Sequence, residues 1–204
     1  RLYFSARAAA SWKVIGPFDN TGNQGFETAY PPELKIDLTA EYDGKKGKVR
    51  WRDYVTTHKY GMVDMNQPCG KLKEVTAYAT TDVFSNRAQP VELRLGGKNS
   101  WRVWLNGKLL FAHDEYHTNT EIDQYIMRAQ LQPGRNTLLV KVCQNEEVKE
   151  WTEEWEFQLR ITDALGTPIV VGEVQVQPVC TQQPRRSAGT VARATGVVGI
   201  DRTH

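Results

Sequence analysis

Hydrophobic and polar residues alternate along much of the chain, and a period of two is the pattern of β-strands. Apolar side chains occupy every second position in residues 75–83, 91–95 and 155–161. Residues 12–18 alternate in the same way. Residues 48–55 also alternate, which would place one set on a single side of a strand: Val49, Trp51, Asp53 and Val55. These segments predict strands with one buried face.

Turn residues separate these segments. Asn106-Gly107 lies between two apolar runs, which favours a hairpin with a type I′ turn, because both central residues need a positive φ. Residues 132–135 (Gln-Pro-Gly-Arg) predict another turn, and Gly96-Gly97 predicts a hairpin turn. Gly16-Pro17 predicts the end of the first strand, and a long loop follows over residues 19–35.

The number and spacing of these segments predict the fold class. About eight short strands with turn signals between them are typical of an antiparallel β-sandwich or barrel. No long amphipathic helix separates the strands, which counts against βαβ units. We therefore expect one all-β domain over residues 12–171. Residues 1–11 are interpreted as a linker or short helix, and residues 172–204, rich in Gln, Pro, Arg and Thr, as a flexible tail or linker.

Composition narrows the partners. The chain has 204 residues, 40% apolar and 25% charged, with a formal net charge of +2. This charge is too small to indicate a nucleic-acid or membrane partner. Of the three cysteines, Cys69 and Cys143 form one candidate disulfide, and the alternative is two half-buried thiols. Cys180 lies in the tail.

Four segments together resemble a known family. Residues 12–20 (WKVIGPFDN), 103–108 (VWLNGK), 131–142 (LQPGRNTLLVKV) and 155–160 (WEFQLR) are similar to strands and hairpins of galactose-binding-like jelly rolls. Such domains occur in exported multidomain bacterial proteins, especially planctomycete ones, and as sugar-binding domains of glycoside hydrolase family 2. The resemblance implies an antiparallel sandwich in an extracellular or periplasmic protein. It also implies either carbohydrate binding or packing against a neighbouring domain of the same chain.

Histidines at 113 and 117 invite a comparison with zinc sites. Two histidines four apart come close enough to bind one metal ion on a helix, and this segment follows a predicted strand. We interpret His113, Tyr116 and His117 instead as part of a polar recognition loop, whose side chains would hydrogen-bond sugar hydroxyls.

Six tryptophans are many for this length, and aromatic rings can cover the apolar faces of sugars. Trp12, Trp101 and Trp155 are in phase with core positions. Trp151 lies between charges and is the best exposed candidate. The predicted ligand contacts are Trp51, His113, Tyr116, His117 and Trp151.

The remaining candidate chemistry is acidic. Six glutamates lie between residues 146 and 156, which we interpret as a solvated loop. Asp19, Asn20 and Asp163 are candidate ligands of a structural calcium ion, and no other cofactor is expected. No nucleophile motif or phosphate-binding glycine loop is present in the sequence. We expect a non-catalytic carbohydrate-binding module, with a structural or protein-interaction module as the alternative. Exposure of Trp51, Trp104 and Trp151 distinguishes the two.

Overall fold

Twelve strands make up most of the described part of the chain. The structure, a computed structural model, describes residues 11–169. The expectations for residues 1–10 and 172–204 therefore lie outside the described residues, and Ser11 already belongs to the first strand. In chain order the strands are β1 Ser11–Asp19, β2 Glu41–Gly44, β3 Gly47–Arg50, β4 Arg52–Val55, β5 Met62–Asp64, β6 Val75–Ser85, β7 Gln89–Gly97, β8 Trp101–Leu105, β9 Lys108–His113, β10 Tyr125–Leu131, β11 Gly134–Gln144 and β12 Glu156–Thr162. Helices are short: α1 Pro31–Leu34, α2 Asn66–Cys69, and 3₁₀ segments at Thr21–Phe26 and Glu150–Thr152.

The strands form two main antiparallel sheets. The six-stranded sheet has the order β4-β1-β6-β11-β8-β9, and the four-stranded sheet has the order β10-β7-β12-β5. Strands β2 and β3 form a separate two-stranded sheet. The prediction of an all-β antiparallel sandwich is confirmed. Among residues 11–169, no helix is long and apolar enough to span a bilayer.

The main core lies between the two large sheets and follows the predicted alternation. It includes Trp12, Trp101 and Trp155, all of them buried. Trp12 packs edge-to-face on Phe157 of the facing sheet, with the ring centroids 5.2 Å apart. The hairpin at Asn106-Gly107 is confirmed, since both residues have positive φ (51° and 76°) and join β8 to β9. Alternation and turn chemistry therefore agree with the tertiary structure over most of the core.

The predicted strand over residues 48–55 is interrupted at Trp51. Its first half pairs with β2, and its second half pairs with β1 in the six-stranded sheet. Because the strand partner changes at Trp51, the set of side chains that faces inward changes as well. Tyr54 is therefore buried and Val55 is exposed, contrary to the expected face. Local alternation cannot reveal such a break, because the strand partners lie elsewhere in the chain.

Two predicted turn signals, Gly16-Pro17 and Gly96-Gly97, lie inside strands instead of ending them. Strand β1 continues through Gly16-Pro17 to Asp19, with a shift of register against β6. A Cβ on Gly16 would lie 2.7 Å from the Cβ of Ala77, so this position requires glycine for close packing. Gly96 and Gly97 lie in β7 and pair with β12. The expected hairpin turn at Gly96-Gly97 is therefore wrong.

A second apolar cluster covers the outer face of the six-stranded sheet. Strand residues Ile15, Tyr78, Trp104 and Leu139 form its floor, and the segment between β1 and β4 covers them. Its partly buried covering residues are Tyr30, Ile36, Tyr42 and Trp51. Both faces of the central strands are therefore buried. The expected loop over residues 19–35 is part of this cover, with its 3₁₀ segment and α1.

A buried ion pair ties this cover to the sheet. The ammonium group of Lys141 is fully buried and donates to the carboxylate of Glu33 at 2.7 Å. It also donates to the carbonyl oxygens of Phe26 and Thr28, each at 2.9 Å. The Tyr78 hydroxyl donates to the same Glu33 oxygen at 2.5 Å. Every proton of the ammonium group therefore has an acceptor, which a buried charge requires.

The candidate disulfide is absent. Cys69 and Cys143 are both free thiols. Cys143 is buried in β11, where its sulfur accepts a hydrogen bond from Thr76 at 3.2 Å. Burial raises the pKa of Cys143 to about 11 and that of Cys69 to about 12. Both thiols are therefore protonated and unreactive near neutral pH. Cys180 lies outside the described residues.

Replacing Lys141 with methionine keeps most of the packing volume but leaves Glu33 buried without its cation. We expect a loss of about 3–5 kcal/mol in the free energy of unfolding, measured by urea denaturation. Lys48→Met, which breaks an exposed pair with Asp43, is the control and should leave stability nearly unchanged. Equal effects of the two substitutions would contradict the role of the buried pair.

Gly96→Ala tests why glycine occupies the interior of β7. A Cβ at this position would lie 2.2 Å from the carbonyl oxygen of Glu121, so we expect a loss of about 1–3 kcal/mol. The neighbouring change Gly97→Ala meets its first atom at 3.5 Å and is the matched control. Thermal and urea unfolding of both variants would measure the difference. A loss at Gly97 as large as that at Gly96 would refute the steric explanation.

Candidate ligand-binding site

Loops from five strands of the six-stranded sheet meet at one end of the sandwich. The register pairs Asp19 with Val75, Val75 with Gln144, and Trp101 with His113. The segments that follow or precede these residues therefore lie at the same end. Four of the predicted contacts belong to them: His113, Tyr116, His117 and Trp151.

Trp151 forms the exposed part of this end, and the largely buried side chain of His117 supports it. The Trp151 side chain is 54% exposed, and its ring lies edge-to-face against His117, with centroids 5.5 Å apart. The ammonium group of Lys149 lies 5.1 Å from the Trp151 ring centroid. His117 Nε2 lies 2.7 Å from Asn145 Oδ1 and 3.6 Å from Glu147. An aromatic face is thus bordered by groups that can hydrogen-bond.

A buried polar network supports this surface from below. The Asn20 amide nitrogen donates to the Tyr116 hydroxyl and to the backbone oxygen of Gln144, both at 3.0 Å. The Asn99 amide nitrogen donates to the Gln144 side chain at 2.9 Å. Burial raises the pKa of the Tyr116 hydroxyl, which therefore stays protonated. Tyr116 is consequently a supporting residue more than an exposed contact.

Thr152 anchors the loop that carries Trp151. Its backbone oxygen accepts from Gln144 Nε2 at 2.9 Å and from Lys73 Nζ at 2.7 Å. Its hydroxyl accepts from the backbone nitrogen of Lys149 at 3.0 Å and lies 2.7 Å from the carbonyl oxygen of Glu147, to which it can donate. Thr152 is fully buried while the adjacent Trp151 is exposed. The loop is therefore fixed at its base and presents the indole ring outward.

His113 lies at the same end but in a separate aromatic group. Its Nε2 lies 2.8 Å from the Tyr125 hydroxyl, and its ring lies 5.6 Å from that of Trp101. Phe111 stacks on the same Trp101 at 5.7 Å. This group closes the side of the sandwich between β9 and β10. His113 is thus positioned by packing and does not contact Trp151.

Trp51 is not brought together with the other four candidates. It packs into the cluster on the outer face of the six-stranded sheet, where Trp104 is also buried. The indole nitrogen of Trp51 is buried. Of the three tryptophans whose exposure distinguishes the two expected functions, Trp151 alone projects to solvent.

The candidate calcium ligands have separate partners. Asp19 pairs with Lys45 at 2.9 Å and accepts from the Thr21 hydroxyl, and these contacts lower its pKa. Asp163 accepts from the backbone nitrogens of Leu165 and Thr167, which lower its pKa too. Asn20 belongs to the polar network under Tyr116. In residues 11–169, no group of three or more His, Cys, Asp or Glu side chains could hold a metal ion.

Two carboxyl groups near this end have pKa values shifted in opposite directions. A hydrogen bond from Lys149, 2.5 Å away, lowers the pKa of Glu147, which therefore remains a carboxylate. Burial, and then the charges of Glu154 and Asp64, raise the pKa of Glu156 at the start of β12. Asp64 is its cross-strand partner and caps the backbone nitrogen of Asn66 at 2.9 Å. The carboxylate beside His117 is thus an ionised hydrogen-bond acceptor.

Sequence reasoning missed Asn145, Glu147, Lys149 and Thr152. The sequence indicates only a solvated charged loop for Glu147 and Lys149, and the proximity of Glu147 to His117 depends on a loop more than 25 residues away in sequence. The run of charges around Trp151 was the available signal. The buried threonine next to it has no distinguishing pattern.

Two cavities lie away from these loops, on the outer face of the six-stranded sheet. One, of about 430 Å³, is lined by residues that include Lys13, Asp53, Asp82 and Arg135. These four side chains form two ion pairs with one another. The other, of about 250 Å³, adjoins Trp104. The aromatic ring that lines the larger cavity, Trp12, is buried, so this cavity lacks the exposed ring that the loop surface has.

Comparisons with known proteins give distant structural likenesses. No protein-family model and no curated protein matches the sequence. A β-glucosidase from Kluyveromyces marxianus is 13% identical, with a TM-score of 0.35, over 44% of this chain and 11% of the enzyme. An anti-sigma factor domain-containing protein from Clostridium clariflavum is 13% identical, with a TM-score of 0.40, over 78% and 44% of the two chains. The GH31 α-xylosidase of Xanthomonas citri is 10% identical, with a TM-score of 0.34, over 76% and 16%. The chain thus spans less than half the length of each of these proteins.

Thr152→Val tests the anchoring of the Trp151 loop. Valine has nearly the same shape but leaves the Lys149 backbone nitrogen without its acceptor, so local opening should become easier. We expect amide hydrogen exchange in residues 146–153 to accelerate by about tenfold or more. Thr39→Val, which removes an exposed hydroxyl bonded to Asp37, serves as the control. Unchanged exchange in the loop would show that Thr152 is not its anchor.

Proposed function

We propose that this chain is a non-catalytic carbohydrate-binding module of the galactose-binding-like class, within a larger exported protein. One observation carries the proposal: an exposed indole ring is held in a fixed orientation among hydrogen-bonding side chains, at the loop end of a β-sandwich. Trp151 provides the ring, and His117 and Lys149 flank it.

The chemistry of a sugar matches this surface. A pyranose has an apolar face of C–H groups and a rim of hydroxyls, so it needs an aromatic platform and nearby donors and acceptors. The Trp151 ring supplies the platform. Glu147 is an ionised acceptor and Lys149 a donor, and both contact the same loop surface. His117 fixes the ring edge, which reduces the ordering cost of binding.

We also propose that the chain does not catalyse glycoside hydrolysis. Glycoside hydrolysis needs a proton-donating carboxyl group opposite a second carboxylate. Glu147 has a lowered pKa and is paired with Lys149, which suits binding and not proton donation.

A structural or protein-interaction module is the second candidate. The observation that favours it is the burial of Trp104 and the packing of Trp51 in the outer cluster, which leaves a single exposed indole. In this alternative Trp151 would contact a neighbouring domain. Retention on a polysaccharide distinguishes the two functions.

Affinity gel electrophoresis on a panel of soluble polysaccharides tests the proposal. We expect retention on at least one of them, reduced about tenfold or more in affinity by Trp151→Ala. Tyr60→Ala is the matched control, because Tyr60 is another exposed aromatic residue (48%) but lies outside the loop end. No retention on any polysaccharide, or equal loss in both variants, would reject carbohydrate binding. Release of reducing sugar by the purified chain would reject the non-catalytic part.

A further inference from the structure

The edge strands on the two sides of the sandwich differ in length and charge. On one side the edge strands are short: β4 has four residues, including Arg52 and Asp53, and β5 has three. On the other side β9 has six residues and β10 has seven. Proteins commonly protect sheet edges by shortening them or placing charges on them, because an unpaired edge attracts another strand. Here only one side has both protections.

Strand β9 is the more apolar of the two long edges. Its centre, residues 109–112, reads Leu-Leu-Phe-Ala without a charge. Leu109 and Phe111 are 44% and 43% exposed, and Ala112 is exposed too. A strand added beside β9 would cover these side chains and would satisfy the free backbone groups of the edge.

A bulge gives β9 an unusual arrangement of faces. Leu109 pairs with Trp104 and Ala112 with Arg102, which both point to the outer face. Lys108, Phe111 and His113 pair with core residues, and Leu110 packs against the core. From Lys108 to His113, successive side chains lie on the inner, outer, inner, inner, outer and inner face of the sheet. The order is the same in both directions.

This symmetry specifies a register for self-pairing. When two copies of β9 run antiparallel about a twofold axis between Leu110 and Phe111, each residue faces one from the same side of the sheet. Leu110 then lies opposite Phe111 of the second copy, and Leu109 lies opposite Ala112. In a regular strand, side-chain alternation would require the twofold axis to pass through a residue. The bulge moves the axis to a point between two residues and so permits this register, although bulges often protect an edge.

Charges at the two ends of β9 agree with the same register. Lys108 lies opposite His113 of the second copy. Glu115, which is 3.7 Å from His113 and has a side chain 68% exposed, follows two residues later. Lys108 of each copy therefore approaches Glu115 of the other, and the twofold axis repeats the contact. Opposite charges in such positions favour pairing.

We propose that β9 is a self-association edge: two copies of this chain pair through it, antiparallel, and join their six-stranded sheets into one. The interface combines backbone hydrogen bonds with apolar contacts on both faces. The loop carrying Trp151 is not part of β9, so the proposed pairing does not use it. The dimer does not depend on the proposed carbohydrate binding.

Sedimentation velocity of the 204-residue chain at increasing concentration tests this proposal. We expect a reversible monomer–dimer equilibrium, with a dimer dissociation constant raised about tenfold or more by Ala112→Lys. Val55→Lys is the matched control, since Val55 is exposed on β4 at the opposite edge of the same sheet. A chain that stays monomeric up to about 1 mM would overturn the proposal. So would equal weakening by both variants, or a dimer that Ala112→Lys does not weaken.

A charge exchange tests the register independently of the apolar contacts. Lys108→Glu and Glu115→Lys should each weaken the dimer severalfold, and the double variant should recover most of the loss. Both side chains are at the surface, and circular dichroism verifies that each variant is folded. Additive losses in the double variant would show that the two residues do not meet, and would overturn this register.

Discussion

The buried ammonium group of Lys141 holds together two parts of the molecule that are far apart in sequence. Its strand forms the centre of the six-stranded sheet, and its acceptors belong to the segment that covers the outer face. A buried charge needs a hydrogen-bond partner for each of its protons. Each acceptor of Lys141 therefore holds one part of the covering segment against the sheet. The cover in turn buries the second apolar cluster. The cover therefore keeps the outer face of the sheet buried, while the loops at the end of the sandwich remain at the surface.

The loop end depends on the same central strand. Strand β11 ends at Gln144, whose backbone oxygen and side chain bind Asn20, Asn99 and Thr152. Three loops from different parts of the chain are thus joined at one residue. Strand β11 thus attaches the cover through Lys141 and supports the base of the candidate site through Gln144. A substitution that disturbs one of these is expected to affect the other.

Local signals predicted the elements that depend on neighbours in sequence. Alternation identified β6 and β12, and Asn106-Gly107 identified its hairpin, because pleating and turn geometry are properties of a few successive residues. The exposure of Trp151 followed from its charged neighbours. The run from Leu138 to Cys143 also contains only one polar residue, Lys141, which is typical of a strand buried on both faces.

The failures arose where distant segments decide. The break at Trp51 results from a change of strand partner. Position 96, inside a strand, is glycine because a carbonyl from another loop approaches it. Trp51 and Trp151 were both candidate contacts in the sequence, yet Trp51 packs under the cover and Trp151 projects from the loop end.

The attachment of the Trp151 loop has a consequence for divergence. Its position is determined by the backbone of Thr152 and by side chains of the scaffold, Gln144 and Lys73. Residues near the tip, such as Glu146, Val148 and Glu150, are exposed and contribute little to that attachment. Under the proposed function, substitutions at these positions would alter what the surface around Trp151 recognises while folding remains intact. Evolution, or a protein engineer, could therefore exchange one specificity for another through a handful of changes on an unaltered frame.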